Sequence, residues 1–242
     1  MSELTSVTAD LATTRFNQAY EDLRNLIISG HFQPNVRLTD AELTALLDVS
    51  RGTVRSVTAR LAQEGYLTSE PNRGVRTRLF SVDEAIEILE AREILESALA
   101  GKAAERATDE ELEELAALCD QMASAEYDRQ EAEYSRLNRA FHKLVRDSAR
   151  QPILTGFVDS LVYALVMRQY RSLTRKHPQR DALNEHRAIL YALQTRNAEA
   201  ATAAMRHHVS SARRALLLST ETVPDNDGLK IVNDEADTDV SA

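Results

Sequence analysis

Residues 38–75 of the chain read LTDAELTALLDVSRGTVRSVTARLAQEGYLTSEPNRGV. Near the start of this stretch, Thr39 or Asp40 can cap a short helix, because a side-chain oxygen at that position accepts a hydrogen bond from the first free backbone N–H groups. Ser50 can cap a second helix in the same way, and Gly65 ends that second helix. The stretch therefore predicts two short helices in close succession.

A longer helix precedes these two helices, and a hairpin follows them. Apolar residues recur at helical spacing over residues 11–29, and Gly30 ends this first helix. The β-prone runs 66–68 and 75–77 are joined by turn residues, which is typical of a small β-hairpin. Three helices and a hairpin predict a winged helix-turn-helix domain over residues 11–80.

The charge of the chain is unevenly distributed. The net charge is −9, but residues 50–78 carry six arginines against two glutamates. A short basic segment of this kind is the electrostatic footprint of a nucleic-acid surface. Because the third helix of a winged helix fits the major groove of DNA, the arginines on it predict DNA binding. The alternative is that they form an ordinary solvated helix face.

The composition excludes several other classes of protein. Glycine (7 residues) and proline (5 residues) are scarce, which favours long helices over collagen-like, low-complexity or loop-rich all-β chains. The single cysteine, Cys119, cannot form an intramolecular disulfide or a thiolate metal cage. No apolar run is long enough for a transmembrane helix, and the N-terminus lacks a secretory pattern. We therefore expect a cytoplasmic protein with no membrane partner.

The sequence after residue 80 is helical in pattern. Capping boxes at Ser81 and Thr108 mark two helix starts, and short breaks are typical of antiparallel neighbours in a bundle. The pattern predicts an antiparallel six- or seven-helix bundle over residues 81–220, so that the fold is all-α dominated. The acidic residues 221–242 are predicted to form a disordered tail. The predicted helices of the bundle cover 82–106, 109–125, 128–149, 152–175, 179–195 and 197–219.

Three histidines on three of these helices could share one metal ion. Asn138 and His142 lie four residues apart and therefore on one helix face, while His186 and His208 fall on two later helices. Three imidazoles and an amide oxygen suit a borderline divalent cation such as Zn²⁺ or Ni²⁺. The spacing leaves a second interpretation open, in which each histidine is an ordinary hydrogen-bonded or exposed residue.

A metal-dependent helical-bundle enzyme is the alternative function. A ferritin-like dimetal centre needs Glu-x-x-His pairs, and no histidine of this chain has a glutamate three residues before it. The HExxH motif of zinc proteases is absent as well. We therefore expect that the chain is not an enzyme. A further alternative is an adaptor whose basic helix binds an acidic protein, and the sequence dependence of binding would distinguish it from a DNA-binding regulator.

The N-terminal stretch resembles the winged-helix domain of GntR-family transcriptional regulators. The resemblance is carried by Val49-Ser50-Arg51, Val54-Arg55, Arg60-Leu61…Glu64-Gly65 and Pro71-Asn72-Arg73-Gly74. It implies that Arg51, Thr53 and Arg55 enter the major groove and that Gly74 lies near the minor groove. With two further arginines of the basic segment, the candidate DNA contacts are Arg51, Thr53, Arg55, Arg60, Arg73 and Gly74.

The stretch departs from the family pattern at three positions. Asn35 and Asp48 stand where the family usually has glycine. Both residue types tolerate the left-handed backbone, so we expect the fold to be unchanged. Ala41 stands at a position that is sometimes basic in relatives, which puts one DNA contact in doubt.

Residues 84–210 resemble the all-helical FCD effector domain of the FadR subfamily. The resemblance rests on Glu90-Ala-Arg92…Leu95-Glu96, Asn138-x-x-Phe141-His142, Glu185-His186-x-x-Ile189 and Met205-x-x-His208. It implies a metal held by an aspartate and three histidines, here Asn138, His142, His186 and His208. Since an amide oxygen is a poorer ligand than the usual carboxylate, metal affinity should fall, and the site should accept an anionic ligand more readily.

The same resemblance assigns a role to Arg92. It implies that the guanidinium of Arg92 binds the carboxylate of a small effector, because an arginine can bind both oxygens. The alternative is an ion pair with Glu96, four residues further along the helix. Together these features predict a homodimeric, ligand-responsive transcriptional regulator. In this family it would most often be a repressor that binds a near-palindromic operator and is released or re-tuned by a small carboxylate.

Overall fold

The computed structural model describes residues 2–70, 74–170 and 181–221. Its N-terminal elements are α1 (Ser2–Ser29), β1 (Arg37–Leu38), α2 (Asp40–Leu47), α3 (Arg51–Gln63), β2 (Leu67–Glu70) and β3 (Gly74–Thr77). The helices that follow are α4 (Val82–Arg106), α5 (Asp109–Tyr127), α6 (Glu131–Ser148), α7 (Pro152–Ser160), α8 (Tyr163–Gln169), α9 (Ala182–Gln194) and α10 (Ala198–Glu221). The predicted winged helix followed by a helical domain is confirmed.

Polar caps position the two short helices of the winged helix. Thr39 caps α2 in a reciprocal box, because its hydroxyl accepts from the Glu42 N–H while its own N–H donates to the Glu42 carboxylate at 2.8 Å. The hydroxyl of Ser50 accepts from the Thr53 N–H at 3.1 Å and caps α3. Asp48 between the two helices has a φ of 51°, which confirms the expected left-handed turn.

A three-stranded antiparallel sheet with the order β1-β3-β2 forms the wing. The hairpin of β2 and β3 was predicted, whereas β1 was not. Gly74 has a φ of 88°, and a Cβ there would lie 2.8 Å from the carbonyl oxygen of Leu38 in β1. Glycine is therefore required for the pairing of β1 with β3. Arg73 and the rest of the predicted wing tip lie outside the described residues.

Helix α4 runs through the centre of the helical domain and packs most extensively against α10. Its buried face carries small residues, among them Gly101, where a Cβ would lie 2.5 Å from the hydroxyl oxygen of Thr202 on α10. The absence of a side chain at Gly101 lets the two helices approach each other closely. The same face of α4 also buries two charged residues, Arg92 and Glu96.

Helices α4, α5 and α7 begin at the predicted residues, whereas α6 begins at Glu131 rather than at 128 and α9 begins at Ala182 rather than at 179. At Thr108 both halves of the predicted capping box are present. At Ser81 only one half is present, because the carboxylate of Glu84 binds Arg78 instead of the backbone. No helix in the part of the chain that the structure describes is long and apolar enough to cross a membrane.

The predicted single helix over 152–175 is wrong. The chain turns at Val162, which has a φ of 46°, and this turn separates α7 from α8. A left-handed conformation is unfavourable for a β-branched residue. Tertiary packing offsets this cost, since Val162 is buried and lies over Gly65 of the winged helix. Helix α1 also begins at Ser2 rather than at residue 11, and the predicted tail after Glu221 lies outside the described residues.

Candidate functional sites

A groove of about 620 Å³ lies between helices α2 and α3 and the wing. It brings together three of the predicted DNA contacts, Arg51, Arg55 and Gly74. Arg37 of β1 lines the same groove and was not predicted, because it precedes the basic segment of the sequence. The groove therefore combines cationic side chains from α3 and from the sheet on one surface.

Arg51 and Arg55 present their guanidinium groups on one face of α3. They lie four residues apart and are both exposed. The Nε of Arg55 donates to Asp40 Oδ2 at 2.9 Å. Among the residues that the structure describes, Arg51 has no ion pair. Two adjacent arginines on the exposed face of a helix can contact phosphates or base edges in a major groove.

The structure does not bring Arg60 to this groove. Its Nε donates to Glu64 Oε1 at 2.9 Å, and its Cζ lies 3.9 Å from the ring centroid of Tyr20 on α1. The hydroxyl of Tyr20 donates to the second oxygen of Glu64 at 2.5 Å. Burial and this bond to Glu64 raise the pKa of Tyr20 to about 12. Arg60 thus joins α3 to α1, and its role in DNA binding stays a prediction.

Thr53 is engaged in the first turn of its own helix. Its backbone N–H donates to Ser50 Oγ, and its hydroxyl lies 3.0 Å from the same oxygen. The side chain is half-buried and does not line the groove. A contact of Thr53 with DNA also stays a prediction.

His142, His186 and His208 come together in the interior of the helical domain. They lie on α6, α9 and α10, and all three are buried. Their candidate ligand nitrogens lie within 4.8 Å of one another. The three helices thus bring the predicted imidazoles to one point. Asn138, the fourth predicted ligand, is half-buried one turn before His142 on α6.

Hydrogen bonds orient all three imidazole rings. The Nδ1 of His142 donates to Glu96 Oε2 at 2.7 Å, and the Nδ1 of His208 donates to Glu185 Oε2 at 2.9 Å. The Nδ1 of His186 donates to the backbone carbonyl of Ala182 at 2.5 Å. A neutral imidazole that donates from Nδ1 carries its lone pair on Nε2. Carboxylate and carbonyl oxygens that accept from the ring N–H are typical partners of histidines that bind a metal.

The spacing of the lone pairs fits a cation. The Nε2 atoms of His142 and His208 lie 3.1 Å apart. Two lone pairs at this distance repel each other unless a proton or a metal ion lies between them. Two nitrogens bound tetrahedrally to zinc at about 2.0–2.1 Å are separated by about 3.3 Å. The donor set and its spacing therefore fit a divalent metal.

Burial and neighbouring charges keep His142 and its acceptor Glu96 in the protonation states that metal binding needs. Burial lowers the pKa of His142 despite the adjacent Glu96, so the imidazole is neutral at neutral pH. Burial alone would raise the pKa of Glu96, but Arg92, His142 and Arg146 hold it well below its usual range. Glu96 is therefore ionised, and it accepts a hydrogen bond from Nδ1 of His142 without taking the proton.

Arg92 is buried, and its ion pair with Glu96 is present in the structure. Its Nη2 lies 2.7 Å from Glu96 Oε1, and its Cζ lies 3.1 Å from the ring centroid of Tyr163 on α8. Glu96 therefore links Arg92 to His142. Neither Glu96 nor Glu185 was predicted to act at the metal site. The bond from His208 to Glu185 crosses between two helices, so no spacing in the sequence indicates it.

Cys119 on α5 contributes no chemistry to either site. It is buried, and burial raises the pKa of its thiol to about 11. A thiol with so high a pKa is neither a nucleophile nor a ready metal ligand near neutral pH.

Two known family models match the chain over most of its length. The model of the FCD domain matches residues 87–211, and the model described as "Bacterial regulatory proteins, gntR family" matches residues 16–76. The chain is a GntR-family regulator with an FCD domain. Both matches fall inside the two predicted domains, 11–80 and 81–220, whose boundaries stay predictions.

Similar proteins carry the same class of function in their names. The chain is 26% identical to the uncharacterized HTH-type transcriptional regulator YdhC of Bacillus subtilis, over 79% of this chain and 86% of that protein. It is 27% identical to the HTH-type transcriptional repressor RspR of Escherichia coli, over 79% of this chain and 84% of that protein. Both names describe HTH-type transcriptional regulators rather than enzymes, which is the class of function predicted for this chain.

Solved structures share the fold of this GntR-family chain. Escherichia coli McbR/YncC superposes with a TM-score of 0.74 at 20% identity, over 85% of this chain and 98% of that chain. A GntR regulator from Rhodococcus sp. RHA1 superposes with a TM-score of 0.70 at 23% identity, over 84% and 98% of the two chains. At these identities the similarity shows the fold alone.

Proposed function

We propose that this GntR-family chain is a metal-dependent repressor that binds a near-palindromic operator as a homodimer and responds to a small carboxylate in its FCD domain. It would act in the cytoplasm, where bacterial DNA lies. The proposal rests on the contacts of the short helix α8. This helix contacts Arg92, which is linked through Glu96 to the histidine cluster, and it also contacts the winged helix. The printed name of RspR supports repression, and two-fold symmetric dimers suit palindromic operators.

The metal part of the proposal rests on the oriented imidazoles. His142, His186 and His208 would hold Zn²⁺ or Ni²⁺ through Nε2, and Asn138 would offer an amide oxygen. All four side chains are neutral, so they leave the charge of a bound divalent cation uncompensated within the ligand set. When bound, the metal supplies a positive centre for a ligand carboxylate. The usual aspartate would cancel part of that charge.

Arg92 can still meet a carboxylate although it is paired with Glu96. A guanidinium has five N–H donors. The bonds to Glu96 engage Nε and Nη2, so donors remain on Nη1. Glu96 and the ring of Tyr163 hold the side chain in a fixed orientation. We propose that Arg92 receives one end of the effector and that the metal receives the other oxygen or a neighbouring group.

Helix α8 supplies the route from this site to the DNA-binding domain. At its first residue, Tyr163 stacks against Arg92. Near its end, Arg168 Nη1 donates to the carbonyl oxygen of Ile27 at 2.7 Å, in the last turn of α1. Gln169 exchanges two hydrogen bonds, of 3.0 and 2.7 Å, with the backbone of Phe80 in the interdomain linker. A shift of Tyr163 would therefore move the groups that hold α1 and the linker.

These contacts are strong enough to carry a regulatory signal. Each of the three hydrogen bonds contributes roughly 0.5–1.5 kcal/mol, and a cation near the C-terminus of α1 adds about 0.3–1 kcal/mol. Coupling between two sites is typically 1–3 kcal/mol, which corresponds to about 5–150-fold in affinity. The energies of the α8 contacts therefore lie in the range that coupling between an effector site and a DNA-binding site requires.

The test compares the full chain with Arg168→Ala and with Arg214→Ala, which removes an exposed arginine on α10. Zn²⁺-loaded protein is screened against small mono- and dicarboxylates by thermal shift. Fluorescence anisotropy then measures operator affinity with and without each stabilising carboxylate. We expect Arg168→Ala to bind the operator but to lose most of the response to the carboxylate, whereas Arg214→Ala should respond like the wild type.

Two results would contradict the proposal. If no carboxylate stabilises the metal-loaded protein, the effector class is wrong, while DNA binding stands on its own. If Arg168→Ala responds to the carboxylate as the wild type does, α8 is not the route between the sites. A melting temperature of Arg168→Ala close to that of the wild type verifies that the variant is folded.

A further inference from the structure

Two acidic side chains, Asp40 and Glu70, line the groove that carries the candidate DNA contacts. Asp40, the first residue of α2, lines the groove together with Arg51 and Arg55. Binding to DNA rests largely on attraction between cationic side chains and phosphates. A carboxylate on this surface lowers the affinity for every DNA sequence alike. The contacts of Asp40 indicate what it contributes in return.

Asp40 binds one defined edge of the Arg55 guanidinium. Its Oδ2 accepts from Arg55 Nε at 2.9 Å, and within the described residues the terminal nitrogens of Arg55 have no hydrogen-bond partner. Those two nitrogens carry four of the five donors of the group. The Arg55 side chain is 75% exposed, so its free end is accessible from the groove. Asp40 thus holds the inner edge of the guanidinium and leaves the outer edge open.

Arg76 of β3 is also paired through Nε with a carboxylate, but one of its terminal nitrogens is engaged as well. Its Nε pairs with Glu70, and its Nη1 also donates to the carbonyl oxygen of Asn35 at 2.9 Å. Arg76 therefore fastens the wing to the loop before β1. The pair of Asp40 and Arg55 joins α2 to α3 at one nitrogen only, and this leaves Arg55 able to bind a ligand.

We infer that Asp40 is a positioning residue, which orients Arg55 so that its two terminal nitrogens contact O6 and N7 of one guanine in the major groove. Bidentate donation from arginine to these two acceptors is the commonest specific contact with guanine. A side chain that is already held at Nε loses less freedom on binding than an unrestrained one. Asp40 therefore increases discrimination between sequences while it lowers affinity for DNA in general. The inference rests on sequence-specific binding by the winged helix.

A purely structural role for Asp40 can be separated from this one. A carboxylate in the first turn of a helix is favourable because it interacts with the helix dipole. Glu42 lies in the same turn and closes the capping box with Thr39, and within the described residues it forms no ion pair with Arg51 or Arg55. Glu42→Gln therefore removes the same charge from the same turn and serves as the matched control for Asp40→Asn.

The test uses the full chain and a duplex that the wild type enriches from a random-sequence pool. Each guanine of that duplex is replaced in turn by 7-deazaguanine, which lacks the N7 acceptor. The Kd is measured for the wild type, Asp40→Asn, Glu42→Gln and Arg55→Ala. One replaced guanine should weaken wild-type binding about tenfold and should have little effect on Asp40→Asn and Arg55→Ala. Glu42→Gln should keep the wild-type response.

A shuffled duplex gives a second readout. We expect Asp40→Asn to bind the shuffled duplex at least as tightly as the wild type does, while its preference for the enriched duplex falls about tenfold. If Asp40→Asn weakens both duplexes equally, Asp40 acts only on the stability of α2 and the inference is wrong. It is also wrong if Asp40→Asn keeps the full penalty at the guanine that Arg55 reads. If the wild type enriches no sequence, sequence-specific binding itself fails together with the inference.

Discussion

Glu96 is the side chain whose replacement should most disturb the helical domain. Its carboxylate is 1% exposed and lies 2.7 Å from both Arg92 and His142. Glu96→Gln keeps the size of the side chain, but it leaves the buried Arg92 without a full counter-charge. Removing one partner of a buried ion pair costs about 3–5 kcal/mol. In a chain of 242 residues this corresponds to a fall of roughly 6–20 °C in Tm.

The assay is urea denaturation and calorimetry at pH 7 with a metal chelator present, so that bound metal does not contribute to the difference between the proteins. Glu90→Gln is the matched control, because Glu90 lies on the same helix and pairs with Arg213 at 3.0 Å but is 54% exposed. An exposed pair contributes about 0–1 kcal/mol. We therefore expect Glu90→Gln to unfold close to the wild type and Glu96→Gln to unfold well before it.

The difference between wild type and Glu96→Gln should depend on pH with a known sign. The pKa of Glu96 is lowered in the folded state, so the unfolded chain binds a proton at this residue first as the pH falls. The stabilisation is complete above the unfolded glutamate pKa of about 4.3 and is lost below it. The two proteins should therefore converge in stability as the pH falls below about 4. A loss under about 1 kcal/mol in Glu96→Gln at pH 7 would falsify the claim of a buried, charged pair.

Three further predictions concern the metal site and the wing. Elemental mass spectrometry should find about one metal ion per wild-type chain and none in His186→Ala. The control His207→Ala, which replaces an exposed histidine, should keep its metal ion. Equal metal content in all three proteins would contradict the assignment. Asn138→Asp should raise metal affinity in chelator competition, since a carboxylate is the stronger ligand, and an unchanged affinity would place residue 138 outside the ligand set. Gly74→Ala should lower the free energy of unfolding by more than 1 kcal/mol in urea, and a neutral result would contradict the close approach of Leu38.

Local chemistry made much of the winged helix predictable. Thr39 and Ser50 cap their helices through hydrogen bonds that span three residues, so the signal lies within one turn. Strand β1 has no such signal, because it is two residues long and its partner lies 39 residues further along the chain at Arg76. The turn at Val162 depends likewise on packing against the other domain, which no local pattern reveals.

At the metal site, too, one part could be predicted from the sequence and another part could not. Helical placement and the family resemblance both indicated the three histidines, and the structure brings them together. The acceptors that orient them, Glu96 for His142 and Glu185 for His208, lie on other helices, 46 and 23 residues away in the sequence. Helical spacing can pair Glu96 with Arg92, which is four residues away, but it cannot choose between that partner and a distant histidine. The observed Glu96 carboxylate binds both.

The burial of Cys119 makes the proposed route through α8 accessible to site-specific labelling. Because burial raises the pKa of the thiol to about 11, almost all of it is protonated at pH 7, and the sulfur is shielded by helix packing. Maleimide dyes and nitroxide labels should therefore not react with the native cysteine. Cysteines introduced at exposed positions of the winged helix and the bundle can be labelled without background. Distances between the two domains can then be followed as metal and carboxylate are added.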